Sequence, residues 1–295
     1  MFVTEDKDFI KEIINEGENK TDSFMQKVNK SLFDMLKNPT DEQIKKFRDT
    51  RDALLVGWLL AMMEDAKPNF YQAAQIGIDV ADAQLKEKGI NEVKNKKIKK
   101  ETFTSKIDSR INSLQQDLTA ITESIRANSE KIIKELKSSP TANTLQEQKK
   151  ISADLVSQLQ ENGITFFTDK IGRKTPIEKY VRMRVFTDSV TIQRTSYFVR
   201  AIQYGVDLVR IIHLNIHPTC ELCAPFEGKI LSINGDEEGY MTLEEAENFG
   251  LFHPNCDHVP EELELAPEDK GGEGIIKLNE ANQKRAEYNN KKNVI

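Results

Sequence analysis

Every histidine and every cysteine of this 295-residue chain falls between His213 and His258. Four histidines (His213, His217, His253, His258) and three cysteines (Cys220, Cys223, Cys256) share that window. They form two half-sites, HPTCELC at 217–223 and HPNCDH at 253–258. A C-x2-C pair can turn two thiolates toward one cation, and His253-x2-Cys256-x-His258 offers the matching half. Zinc suits such a set, since it takes four tetrahedral Cys and His ligands without redox chemistry. The expected ligands are Cys220, Cys223, Cys256 and His253, with His258 the rival for the fourth place. His213 and His217 are expected around the site rather than on the metal, and Asp257 is placed to accept a ring N–H and orient a ligand.

Other readings of these residues fit less well. A thioredoxin-like pair sits at a strand-to-helix turn of a βαβ unit, and none is visible here. A nucleobase deaminase requires H-x-E ahead of P-C-x-x-C, whereas Leu214-Asn215 follow His213 and Thr219 precedes Cys220. Three cysteines, an odd number at metal spacing, argue against a disulfide framework and for folding in a reducing compartment.

Between the half-sites, Ile230–Ile233 reads as a short strand entered from the turn Phe226-Glu227-Gly228-Lys229 and closed by Asn234-Gly235. Thr242 followed by Glu245 fits a capping box opening a short helix to Asn248, which stops at Gly250. Upstream, Ile164, Phe166 and Phe167 suggest another strand. A helix is predicted from Pro176 to Tyr204, with proline in its first turn, and a strand from Val206 to Leu214.

The run from about Thr168 to Leu265 resembles the phage minor capsid protein 2 family, relatives of the Mu F-like head-morphogenesis proteins. The resemblance rests on Asp169-Lys170-x-Gly172-Arg173, Tyr180-x2-Met183 and Tyr204-Gly205-x-Asp207-Leu208-Val209. It continues in Cys220-x2-Cys223-x4-Gly228-Lys229 and in Gly250-Leu251-Phe252-His253-Pro254-Asn255-Cys256-x-His258. The family's usual basic residue is replaced by Asp257, and Phe186 stands before Thr187 where an Arg is usual. The resemblance implies a structural minor component of a tailed-phage head. Such a protein would act near the portal in head assembly or genome-end handling, partnered by portal and other head proteins. It would be located in the virion after assembly in the bacterial host cytoplasm.

The rest of the chain reads as helix. Phe9, Ile13 and Ile14, then Phe24, Val28, Leu32, Phe33 and Leu36, recur at three-to-four spacing. Asn38-Pro39-Thr40-Asp41 breaks and re-caps the chain ahead of a helix carrying Ile44, Phe47, Leu54, Leu55, Trp58, Leu59 and Met62. Pro68 is expected to start another, ending at Gly89. Lys94, Lys96, Lys97, Lys99 and Lys100 make a linker. From Phe103 a seam of Ile107, Ile111, Leu114, Leu118, Ile121, Ile125, Ile132 and Leu136 alternates threes and fours, as a long packed helix requires. Leu145, Ile151, Leu155 and Leu159 could return as an antiparallel hairpin; the alternative is a homo-oligomeric coiled coil.

The expected fold is therefore mainly α with a small α+β C-terminal module. Its parts are a helical domain over 1–100, a coiled coil or hairpin over 101–162, a metal-stapled minor-capsid-type domain over 163–266 and a flexible tail over 267–295. The N-terminus lacks an apolar run, so no signal peptide is expected, and no segment is apolar enough to span a membrane. A net charge of −6 gives no overall nucleic-acid footprint. Any DNA contact would be non-specific and come from the lysine linker and from Lys179, Arg182, Arg184, Arg194 and Arg200, because the metal module is acidic. No catalytic residue is expected. The competing class is a zinc-dependent hydrolase or toxin-like enzyme with Glu244 or Glu247 as base, but four strong ligands would close the coordination position such chemistry needs.

Overall fold

The computed structural model describes residues 4–96, 100–138, 166–168, 172–214 and 222–265. Four long helices dominate: α1 (Thr4–Lys37), α2 (Asp41–Glu87), α3 (Lys100–Ser138) and α4 (Ile177–Gln203). The remainder is a two-stranded hairpin of β1 (Phe166–Thr168) and β2 (Lys174–Pro176), and a three-stranded antiparallel sheet. That sheet has the order β4-β3-β5, with β3 (Leu208–His213) between β4 (Ile230–Ser232) and β5 (His258–Glu264). A short helix α5 (Leu243–Asn248) follows β4. The mainly helical fold with a small strand-containing C-terminal module is the expected one. The returning segment with Leu145 to Leu159, the tail beyond Leu265, and Cys220 and His217 lie outside the described residues.

Contacts divide the chain into two compact units whose boundaries fall inside the long helices. One comprises Met1–Ile13, Pro68–Arg110 and Phe186–Ile295, the other Ile14–Lys67 and Ile111–Val185. In the second, the α3 seam is buried at Leu114, Leu118, Ile121, Ile125 and Ile132. Polar contacts fix which neighbours it meets. Arg51, buried on α2, reaches Ser129 at 2.7 Å and Glu130 at 2.8 Å, and Arg126 reaches Asp52 at 3.0 Å. From α4, Tyr180 donates to Asp117 at 3.0 Å. Trp58 stacks on Phe24 with ring centroids 4.9 Å apart and donates its indole N–H to Thr21.

One expectation fails: α2 does not restart at Pro68 but runs through it. Proline lacks an N–H and crowds the carbonyl four residues back, which in a buried helix costs about 3 kcal/mol. Both Pro68 and Glu64, the residue four before it, are exposed, so water can serve the freed carbonyl and the cost falls. The helix instead ends where expected, at Gly89, whose φ of 71° takes the left-handed closing position.

In the first unit, the α2 segment after Pro68 presents Ala73, Ala74, Gly77 and Ala81, small residues at three-to-four spacing, all three alanines buried. α4 packs directly on this stripe: a Cβ built on Gly77 would lie 2.1 Å from the Gln193 carbonyl oxygen. Near its end, α2 supplies Gln84 to the free edge of the sheet. Its side-chain amide donates to the Glu261 carbonyl at 2.7 Å and accepts from the Leu263 N–H at 2.9 Å, while Tyr197 donates to it at 2.5 Å. An edge strand that would otherwise expose backbone groups is thereby covered. The lysine linker is anchored rather than free at its start, since Lys94 and Asn95 both donate backbone N–H groups to the Gln203 carbonyl.

Candidate metal centre

Strand β3 ends at His213, and β5 begins at His258 directly beside it in the ladder. The register thus brings the two halves of the sequence cluster together. Local structure delivers the remaining side chains. A 3-10 turn over Ala224–Phe226, with Pro225 in it, follows Cys223 and buries Phe226. The capping box expected at α5 is present: Glu245 N–H donates to Thr242 Oγ1 at 3.1 Å, and Thr242 N–H to the Glu245 carboxylate at 2.8 Å. After α5 the chain turns back through Gly250, Phe252 and Asn255, with φ values of 107°, 62° and 66°. Left-handed backbone is uncommon outside glycine, and for a bulky residue such as Phe252 it is a true outlier. Contacts with α4 help hold this loop: Arg194 lies over the Phe252 ring, 4.0 Å from its centroid, and Asn255 N–H donates to Thr187 at 2.9 Å.

The outcome is a convergence of ligand atoms. Those of Cys223, His253 and Cys256 all lie within 4.8 Å of one another. The two sulfurs are 3.6 Å apart, far beyond a disulfide bond and close to the roughly 3.8 Å expected for two thiolates on one tetrahedral zinc with bonds of about 2.3 Å. His253 has its Nδ1 2.7 Å from the Pro254 carbonyl, which leaves Nε2 as the available donor atom. That Nε2 is buried and without a hydrogen-bond partner among the described residues. An orphaned buried ring nitrogen facing two thiols is what a ligand looks like before its cation is considered.

His258 is differently engaged. It is buried, with Nδ1 3.5 Å from the Cys256 sulfur and Nε2 3.0 Å from Glu227. Burial alone would push its pKa down, but the Cys256 thiolate and the Glu227 carboxylate overcome that and raise it. Cys256 moves the other way, well below the usual thiol range. The hydrogen bond from Cys223 contributes most, opposed by burial and reinforced by His258 and the charge of Arg194. His213 and Asp257 make a second pair, 2.7 Å apart, and with His258 form a further group whose ligand atoms lie within 4.8 Å. Asp257 thus lies against the ring of His213, a residue expected around the site and not on the metal.

Arg194 is the residue that sequence reasoning misplaced. Its place among the α4 cations suggests a solvated charge, yet it is buried against this cluster, donating to the His258 carbonyl at 2.9 Å. Its neighbours on α4 are also engaged: Arg182 with Glu18 at 3.4 Å, Arg184 with Asp117 at 3.0 Å, and Arg200 with Asp82 at 2.9 Å. The only signal in the sequence was position, since Arg194 lies on the same helix face as buried Val190 and Tyr197. Glu244 and Glu247, the candidate bases of an enzymatic site, lie exposed on α5.

A profile of the family described as phage minor capsid protein 2 matches residues 8–293 of the chain, nearly its whole length. No curated protein and no solved structure matches it. No helix among the described residues is long and apolar enough to cross a membrane.

Proposed function

This chain belongs to the phage minor capsid protein 2 family, and from that premise we propose that it is a structural minor head protein acting near the portal, with a closed zinc site stapling its C-terminal module. The reading has the protein in the virion, partnered by portal and other head proteins, in head assembly or in handling the genome end. The observation that carries the metal is the orphaned Nε2 of His253 facing the Cys223 and Cys256 sulfurs. The proposed ligands are Cys220, Cys223, His253 and Cys256. His258 hydrogen-bonds to the Cys256 sulfur from outside the coordination shell and is held there by Glu227.

Zinc would supply what a three-stranded sheet with one six-residue helix cannot, a large fixed contribution to folding, on the order of 10–16 kcal/mol in finger-sized peptides. With all four positions taken by strong protein donors, no site is left for substrate or activated water, which is why the structural role is favoured over hydrolysis. A scaffold role also suits the helices, whose basic side chains on α4 are mostly paired within the chain.

Metal analysis of the purified protein tests this directly. One zinc per chain is expected. Cys256→Ser and His253→Ala should abolish retention against a chelator, whereas His258→Ala should retain the metal. Cobalt substitution should give the intense visible absorption of a tetrahedral thiolate site. Zinc retained in full by Cys256→Ser, or a five-coordinate cobalt spectrum with exchangeable water, overturns the assignment. Isolation from intact particles, counted per virion, tests the placement in the head.

A further inference from the structure

Helix α2 carries an eleven-residue run without a polar side chain, Ala53 to Met63. Such a run is ordinarily buried on every side. Its inner face is: Leu55, Trp58 and Met62 are core residues. Its outer face is not. Val56 is 51% exposed and Leu60 64%, two of the three exposed large hydrophobic residues among those described. Gly57 sits beside them, and a Cβ added there would meet nothing within 4 Å.

The order of residues along this outer face is self-complementary. At about 100° per residue, Asp49, Val56, Leu60 and Lys67 fall within roughly 40° of one another around the helix. They are also symmetric about position 58. Asp49 and Lys67 stand equally far from it, as do Ala53 and Met63, and Val56 and Leu60. The two outer members carry opposite charge. Asp49 and Lys67 are exposed, and neither has an ion-pair partner among the described residues. The nearby Asp52, by contrast, is already neutralised by Arg51 and Arg126.

We propose that the outward face of α2 from Asp49 to Lys67 is a two-fold antiparallel pairing surface for a second copy of this chain. A two-fold axis through position 58 sets residue i of one copy against residue 116 − i of the other. A two-fold contact is isologous, so every interaction occurs twice. Asp49 then meets Lys67 of the partner copy at both ends. Between them Val56 meets Leu60 and Ala53 meets Met63. A heterologous partner would have no reason to match a palindrome of apolar positions closed by opposite charges. One helix pair buries less surface than a permanent dimer needs, so the pairing is weak when free and is reinforced where copies are concentrated in an assembling head.

Sedimentation equilibrium over roughly a hundredfold range of concentration tests this. The full chain should rise from the 33.7 kDa monomer toward twice that mass. Leu60→Asp should remain monomeric with unchanged helicity, since the side chain is exposed. Asp49→Lys or Lys67→Asp alone sets like charges together at both ends and should weaken pairing about tenfold. The double variant Asp49→Lys/Lys67→Asp restores opposite charges and should return to near the original affinity. Monomeric mass throughout overturns the proposal. So does undiminished pairing of Leu60→Asp, or a double variant no tighter than the singles. A monomer whose Leu60→Asp variant fails to enter particles would give this face to another head protein and likewise refute self-pairing.

Discussion

Gly77→Ala should destabilise the protein although alanine is the better helix former. In the middle of a helix the exchange of glycine for alanine ordinarily gains about 0.5–1 kcal/mol, by reducing the freedom of the unfolded chain. At Gly77 the new methyl would lie 2.1 Å from the Gln193 carbonyl oxygen and 3.2 Å from the Tyr197 nitrogen, both backbone atoms of α4. Reaching ordinary contact at 3.4 Å requires the helices to part by about 1.3 Å. A gap of about 0.5–1 Å already forfeits a quarter to a half of the dispersion attraction along a contact, and inserted methylenes in tight cores cost about 1–3 kcal/mol. The crossing is lined by Ala73, Ala74 and Ala81, so no long side chain can swing aside to absorb the shift. The net loss should be about 1–2 kcal/mol, a fall in thermal midpoint of roughly 5 °C for a cooperative unit of this size. Gly17→Ala is the control. A methyl there meets Met62 at 3.6 Å, an ordinary contact, and should stabilise by about 0.5 kcal/mol or more. Circular dichroism melts read the two midpoints, and hydrogen exchange over 186–203 reads the α4 packing. A Gly77→Ala midpoint at or above the parent would refute the close crossing.

Two other predictions follow from polar contacts. Burial opposes it, yet hydrogen bonds from Arg51 and Arg126 hold Asp52 below its usual pKa, while Glu130 is lowered chiefly by Arg48. Folded values lower than unfolded ones mean stability present above the unfolded pKa of about 4 and lost as pH falls through the folded values. The thermal midpoint should therefore drop below about pH 4, and Asp52→Asn/Glu130→Gln should flatten that dependence; an unchanged slope would count against the network. Gln84→Leu strands the Leu263 N–H, the Glu261 carbonyl and the Tyr197 hydroxyl, at a cost of roughly 2–4 kcal/mol. Exchange of the β5 amides should quicken, and protection equal to the parent would show that the edge is covered by something else.

The parts of the fold legible in the sequence were those with a local cause. Apolar residues at three-to-four spacing announced α1, α3 and the helical character of α2, though not its continuity through Pro68, and Thr242 with Glu245 announced α5 to the residue. What stayed hidden was set by contacts distant in sequence. The stretch forming β5, His258–Glu264, carries three glutamates and Pro260, and has no alternating pattern. It is a strand because β3 pairs with one side and Gln84, far away on α2, serves the other. Pro260 is tolerated because β5 is the edge of the sheet and the ladder shifts register at Arg210/Ile211, opposite it. The candidate site divides in the same way. The spacing of Cys223, His253 and Cys256 foretold their meeting, but nothing local distinguishes Arg194 from Arg184 and Arg200, half-buried on the same helix.

The burial of Arg194 has a physical reason that bears on the whole C-terminal module. A guanidinium withdrawn from water is costly unless anions or oriented dipoles replace its hydration. Here two carbonyls, the face of Phe252 and the nearby sulfurs of Cys256 and Cys223 do so. The sulfurs have the reciprocal need. Three thiolates and one neutral imidazole around a divalent cation, the proposed ligand set, carry a net charge of −1, which a buried site cannot leave uncompensated. With that ligand set, Arg194 would supply the opposite charge permanently, without a proton that could be lost near neutral pH. The same side chain, stacked on Phe252, clamps the left-handed turn that aims His253 and Cys256. One arginine on the core helix thus couples the charge balance of the site to the loop geometry that creates it. A module with too small a core of its own is in this way built onto α4 instead of hanging from it.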